Sequence, residues 1–161
     1  LPAFVDALGS GFEVRYAGAP VDPRAPMADV VELGRISEDA LIREYRECDA
    51  VVSLSRYEGF GYTVLEAMAC GKPFLGFRTS ALPEVVAECE GVLVPVDDVR
   101  ALAAATVSVK QRLEQTGDVQ MLGRDTVLRR FSSSNLDAYI ALYRELLSRT
   151  SANQRGSHDE A

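Results

Sequence analysis

A short β-branched apolar stretch, Ala50-Val51-Val52-Ser53-Leu54-Ser55, runs within a few residues into two glycines, Gly59 and Gly61. A segment with no breaker from Tyr62 to Cys70 follows. The first reads as a buried strand and the last as a helix. A strand that feeds a helix through a tight glycine turn is half of a parallel crossover unit, and the rest of the chain continues the alternation. Phe12–Ala17 reads as a strand and 19–29, with three prolines, as a loop. Val30–Ile36 is the next strand, followed by a helix capped by Ser37, with Glu38 and Asp39 in its first turn. Strand 74–77, helix 82–89, strand 92–96 and a long helix from Asp97 or Asp98 to about Glu114 come next. Gly117-Asp118 breaks that helix, and helices near 119–130 and 134–148 end the domain. Pro83 just inside a helix start and Gly91 beyond its end follow the usual terminal asymmetry. Strands alternating with helices imply an α/β fold, a Rossmann-like parallel sheet with helices on both faces. Residues 1–149 are assigned to this domain. The tail 150–161 is polar, lacks periodicity and is expected to be disordered.

The strand–turn–helix junction also has a chemistry. The first N–H groups of a helix are unpaired and its dipole favours negative charge, so such a junction suits an anion such as a phosphate. Gly59 and Gly61 let the backbone approach a ligand with no Cβ in the way. Two carboxylates bracket the junction, Glu58 before the turn and Glu66 about one turn inside the helix. An acid would repel a phosphate, but an ionised carboxylate accepts two hydrogen bonds and fits a diol beside one. Diols on both sides of a phosphate linkage describe a nucleotide sugar. Taken alone, Glu58 is an exposed turn acid. Glu66 has Val64, Leu65, Ala67, Met68 and Ala69 as neighbours, which suggests a helix apolar on nearly every side. An unpaired carboxylate buried there would be costly, so a functional role is favoured for Glu66, and Glu58 goes with it.

The run Glu58-Gly59-Phe60-Gly61, with Leu65-Glu66-Ala67-Met68-Ala69-Cys70-Gly71-Lys72-Pro73, resembles the E-x7-E donor-site motif of retaining GT-B glycosyltransferases, with glycosyltransferase family 4 the nearest match. The resemblance covers roughly residues 12–148. It includes Leu33-Gly34-Arg35-Ile36-Ser37, the helix from Leu41 to Cys48, Leu82-Pro83-Glu84-Val85-Val86 and Gly91-Val92-Leu93-Val94-Pro95. It implies transfer of a sugar from a nucleotide diphosphate donor to a hydroxyl acceptor, with retention at the anomeric carbon. It also implies that Glu58 is catalytic and holds the sugar hydroxyls, and that Glu66 binds the ribose. Gly59, Phe60, Gly61, Tyr62 and Thr63 would offer the diphosphate their backbone, with Ile36 near the base. Thr79-Ser80-Ala81 would face the donor sugar. Lys72 and Glu84 have sufficient structural explanations at a helix end and a helix start.

The resemblance further implies an Arg and a Lys in a loop after a first strand, and an amino-terminal domain that binds the acceptor. Leu1–Leu8 looks like the end of the helix after that loop, so neither the strand nor the basic pair lies in this sequence. Arg56 and Arg78 are conceivable substitutes. Without its central first strand, the sheet would expose facing edges at 12–17 and 51–55. The chain would then dimerise through them or stay partly disordered near 1–30. Alone it is expected to be inactive. A non-catalytic nucleotide-sugar-binding or assembly module that kept the fold is the alternative.

Composition narrows the classes. The net charge of −7 argues against nucleic acid or an anionic membrane surface as partner. No apolar run approaches the ~20 residues of a membrane helix. Cys48, Cys70 and Cys89 lack metal-ligand spacing and read as buried reduced thiols, which points to a cytoplasmic setting, with peripheral membrane association of a longer protein left open. His158, the lone histidine, lies in the tail and leaves no Ser-His or Cys-His pair. No metal or cofactor is implied, since there is neither an Asp-x-Asp motif nor a histidine cluster. The dinucleotide glycine fingerprint is absent too.

Overall fold

The computed structural model describes residues 1–19, 30–87, 91–116, 122–133, 136–137 and 139–145. The elements are α1 (Pro2–Leu8), β1 (Val14–Ala17), β2 (Val30–Gly34), α2 (Glu38–Glu47), β3 (Val51–Ser53) and α3 (Tyr62–Ala69). They continue with β4 (Phe74–Phe77), α4 (Leu82–Val86), β5 (Val92–Val94), α5 (Val99–Thr116) and α6 (Leu122–Phe131). The backbone is again helical at 136–137 and 139–145. By its contacts the chain divides into one compact unit, Leu1–Val127, and a second from Leu128 onward, where the sequence suggested one domain to residue 149. The apolar side chains of the last helical stretch, Leu136, Tyr139, Ile140, Leu142 and Tyr143, are exposed.

Every strand pairing is parallel, but the strands form two sheets: β1 with β2, and β3-β4-β5. Strands β1 and β3 thus each have one edge without a ladder partner among the described residues. These are the two edges expected to open if a central strand is missing. Residues 2–8 form a helix, and residues 20–29 lie outside the described residues. The asymmetry shows in burial. All four residues of β4, paired on both edges, are buried, whereas Val51, Val52 and Ser53 of β3 are only half-buried.

Side chains alternate across a strand, so β4 serves two cores. Leu75 and Phe77 pack with Phe4 and Leu8 of α1, Val94 of β5, and Leu102, Ala103 and Val109 of α5. Phe74 points to the other face, where α3 and α4 bury Leu65, Met68, Leu82 and Val85. Helices therefore cover both faces, as expected. Lys110 of α5 donates to the Gly11 carbonyl at 2.9 Å and lies over the Phe12 ring, pinning the turn after α1.

Local signals acted where the sequence placed them. The Ser37 hydroxyl accepts the Ala40 N–H at 3.3 Å, and Asp98 does the same for Ala101 at 2.9 Å, so α5 starts after Asp98. α3 ends in a Schellman motif. Gly71 sits at φ 75°, its N–H donates to Met68 O at 2.8 Å, and the Lys72 N–H donates to Ala67 O at 2.9 Å. That closure accounts for Gly71-Lys72 structurally, and Glu84 does stand in the first turn of α4. Strand β2 ends at Gly34, two residues earlier than expected, because Gly34 takes φ 64° and turns the chain. Cys48 and Cys70 are free and half-buried rather than buried. Burial pushes the Cys48 thiol pKa up, which keeps it protonated. Cys89, Gly117-Asp118, the tail 150–161 and His158 fall outside the described residues. No described helix is long and apolar enough to cross a membrane.

Candidate donor-binding site

The loops leaving β3, β4 and β5 meet at the carboxyl end of the three-stranded sheet, the position where open parallel sheets bind ligands. They are stitched together by polar contacts. The Thr79 hydroxyl donates to the Arg56 carbonyl at 2.8 Å, and the Ala81 N–H reaches the Glu58 carbonyl at 3.4 Å. Arg56 Nε pairs with Asp97 Oδ1 at 2.7 Å, linking the β3 loop to the end of β5. Two non-glycine residues in these loops have left-handed backbone, Ser80 at φ 45° and Asp97 at φ 67°. Such conformations are uncommon outside glycine and cluster at functional sites.

Gly61 caps α3 at φ 95°, buried, and turns the chain sharply from loop to helix. Its N–H donates to Glu58 Oε1 at 3.1 Å. One carboxylate oxygen of Glu58 therefore braces the turn, and the Gly61 N–H is spent on it rather than offered to a diphosphate as the resemblance implies. Glu58 is half-buried, with Gly59 exposed beside it. Tyr57, Phe60 and Tyr62 surround the turn as exposed aromatics, the last two in tilted ring contact with centroids 5.1 Å apart.

Glu66 corrects the sequence reading. It is exposed, not enclosed in an apolar helix. Val64, Leu65, Ala67 and Met68 occupy the buried sides of α3, while Tyr62 and Glu66, four apart, share the open stripe. Nor is Glu66 unpaired. The Tyr45 hydroxyl donates to Glu66 Oε2 at 2.9 Å. Tyr45 is the one buried residue of α2 and was missed in the sequence. A buried tyrosine on a polar helix signals a packed ring, but nothing local says where its hydroxyl goes. Burial, and then the carboxylate acceptor, push the Tyr45 pKa up, so at neutral pH it remains a donor. The Thr63 hydroxyl stands beside it.

Of the remaining candidates, Ile36 is half-buried between the end of β2 and the cap of α2. Arg56 is held by Asp97, and Arg78 Nη2 lies 3.5 Å from the Leu93 carbonyl. Among the described residues no group of three or more His, Cys, Asp or Glu could hold a metal ion.

Residues 11–112 match the family model described as glycosyl transferases group 1. The chain belongs to this family. Among curated relatives of this group 1 chain, the D-inositol 3-phosphate glycosyltransferase of Saccharomonospora viridis is 33% identical over 150 residues, covering 86% of the chain and 33% of the relative. The chain thus spans about a third of that relative. Among solved structures, Anabaena HepE in complex with UDP superposes with a TM-score of 0.63 at 25% identity, covering 75% of this chain and 32% of that one. The HepE complex with UDP-glucose gives a TM-score of 0.71 at 22% identity, over 92% of this chain and 44% of that one. These likenesses make the group 1 domain a GT-B glycosyltransferase domain in fold, and their partial coverage is consistent with a carboxyl-terminal half.

Proposed function

We propose that this chain is the donor-binding part of a glycosyltransferase that moves a sugar from a nucleotide diphosphate sugar to a hydroxyl acceptor, with retention of anomeric configuration. The observation that carries the reading is the turn between β3 and α3, where a buried left-handed glycine starts the helix and a glutamate stands on either side. The UDP and UDP-glucose bound by HepE support the ligand class.

In this reading the diphosphate faces the start of α3, where the N–H groups of Tyr62 and Thr63 and the helix dipole meet the negative charge that grows as the sugar departs. Glu58 holds hydroxyls of the transferred sugar with the carboxylate oxygen left over from bracing Gly61. Glu66 accepts from the ribose diol, and Ile36 lies near the base. The acceptor comes from a further domain of a complete enzyme, so the chain alone is inactive. Its nearby cations, Arg56 and Arg78, are already engaged by Asp97 and the Leu93 carbonyl. Binding of donor by the chain alone is therefore weak, with Kd on the order of millimolar, or about −4 kcal/mol.

Glu58→Gln in a complete enzyme carrying this domain tests the assignment. Turnover at saturating donor should fall much further than nucleotide affinity, because the group acts on the transferred sugar rather than on the nucleotide. Lost nucleotide binding with unchanged turnover at saturation would refute the role given to Glu58.

A further inference from the structure

The contact between Tyr45 and Glu66 joins two helices across 21 positions of sequence, one end buried and the other at the open site. The anchor is fixed. The ring is 8% exposed on the inner face of α2, the Cys48 thiol sits 3.4 Å from the Tyr45 carbonyl, and the helix is capped at Ser37. The carboxylate is not fixed by packing, because Glu66 stands on the exposed stripe of α3. An exposed glutamate samples several rotamers, and holding it in one has an entropic cost that a ligand would otherwise bear.

We propose that Tyr45 is a positioning residue that locks the Glu66 carboxylate through Oε2, leaving Oε1 presented to a vicinal diol. The ligand class is a ribonucleoside diphosphate, and the proposal rests on the reading of Glu66 as the ribose-binding group given above. The consequence is selectivity for the sugar of the nucleotide. A preset carboxylate rewards a ribose with both hydroxyls and gains nothing from one without them. Tyr45 itself touches no ligand, so its effect appears only through Glu66.

Calorimetric titration of the chain with uridine diphosphate and its 2′,3′-dideoxy analogue, and with the guanosine pair in parallel, separates this role from packing. The wild-type chain should favour the ribonucleotide by about tenfold, the scale of one hydrogen bond to a charged group. Tyr45→Phe keeps the ring and removes the hydroxyl. It should narrow that preference by about threefold, leave affinity for the dideoxy analogue unchanged, and have no effect on the ratio in a Glu66→Ala background. Melting curves of each variant control for the fold. If Tyr45→Phe lowers both affinities equally, or changes neither, the positioning role is overturned. If Glu66→Ala leaves the preference intact, the ribose reading beneath it fails instead. A wild-type chain that binds none of the four nucleotides overturns both.

Discussion

Replacing Gly61 by alanine tests whether the turn into α3 has the backbone on which the site depends. Gly61 sits at φ 95°, where an L residue is disfavoured by about 1–2 kcal/mol. The new methyl would also stand 3.2 Å from Leu82 Cδ2, with Val64 Cγ2 at 3.6 Å. Leu82 and Val64 are each 1% exposed, so neither can swing into solvent, and crowding adds up to about 1 kcal/mol. The lower entropy of alanine in the unfolded chain returns about half a kcal/mol. The net loss is about 1.5 kcal/mol, a fall in Tm of about 3–6 °C for a chain of this size. Gly59→Ala is the matched control. A Cβ there meets nothing within 4 Å and the backbone is not left-handed, so stability should stay within about 0.5 kcal/mol. Urea unfolding of the two variants beside wild type measures both numbers. A Gly61→Ala variant as stable as wild type, or a Gly59→Ala variant equally impaired, would refute the account of the turn.

Two further outcomes follow from the open edges and from one ion pair. The edges of β1 and β3 that have no ladder partner among the described residues should make the chain dimerise or leave the amides of Val14–Ala17 exchanging quickly, as native mass and amide exchange would show. A monomer with strong protection at Val14–Ala17 would contradict this. The Arg15 guanidinium, at 2.7 Å and 2.9 Å from the two Glu44 oxygens, holds the Glu44 carboxyl below its usual range. A lowered folded pKa stabilises above the unfolded value of about 4.3 and loses that contribution as pH falls. The Tm advantage of wild type over Glu44→Gln should therefore be present at neutral pH and fade below about pH 4; an advantage that persists or grows in acid would contradict it.

How far the sequence could be read depended on the range of the physics involved. Ser37, Asp98, Gly71 and Pro83 act within one turn of themselves, and each marks the boundary its chemistry implies. Phe74–Phe77 was legible because a strand buried on both faces is apolar throughout. Glu66 was misread because its neighbours in sequence were taken for its neighbours in space. On a helix resting on one sheet, residues 64, 65, 67 and 68 can be buried while 62 and 66 look outward. The Tyr45–Glu66 bond could not be read at all, since it depends on how α2 lies against α3. The same holds for Arg56–Asp97, which requires the loops leaving β3 and β5 to converge.

Amide-resolved NMR titration of the chain with UDP-glucose and with a guanosine diphosphate sugar addresses the central claim, that donor binds where β3 turns into α3. The account predicts shifts concentrated at 58–63, at Glu66 and at Ile36, saturating near millimolar ligand, with the Arg15–Glu44 surface unaffected. No shift at about 10 mM of either ligand, well above the expected Kd, or shifts centred on α5 and α6, would contradict it.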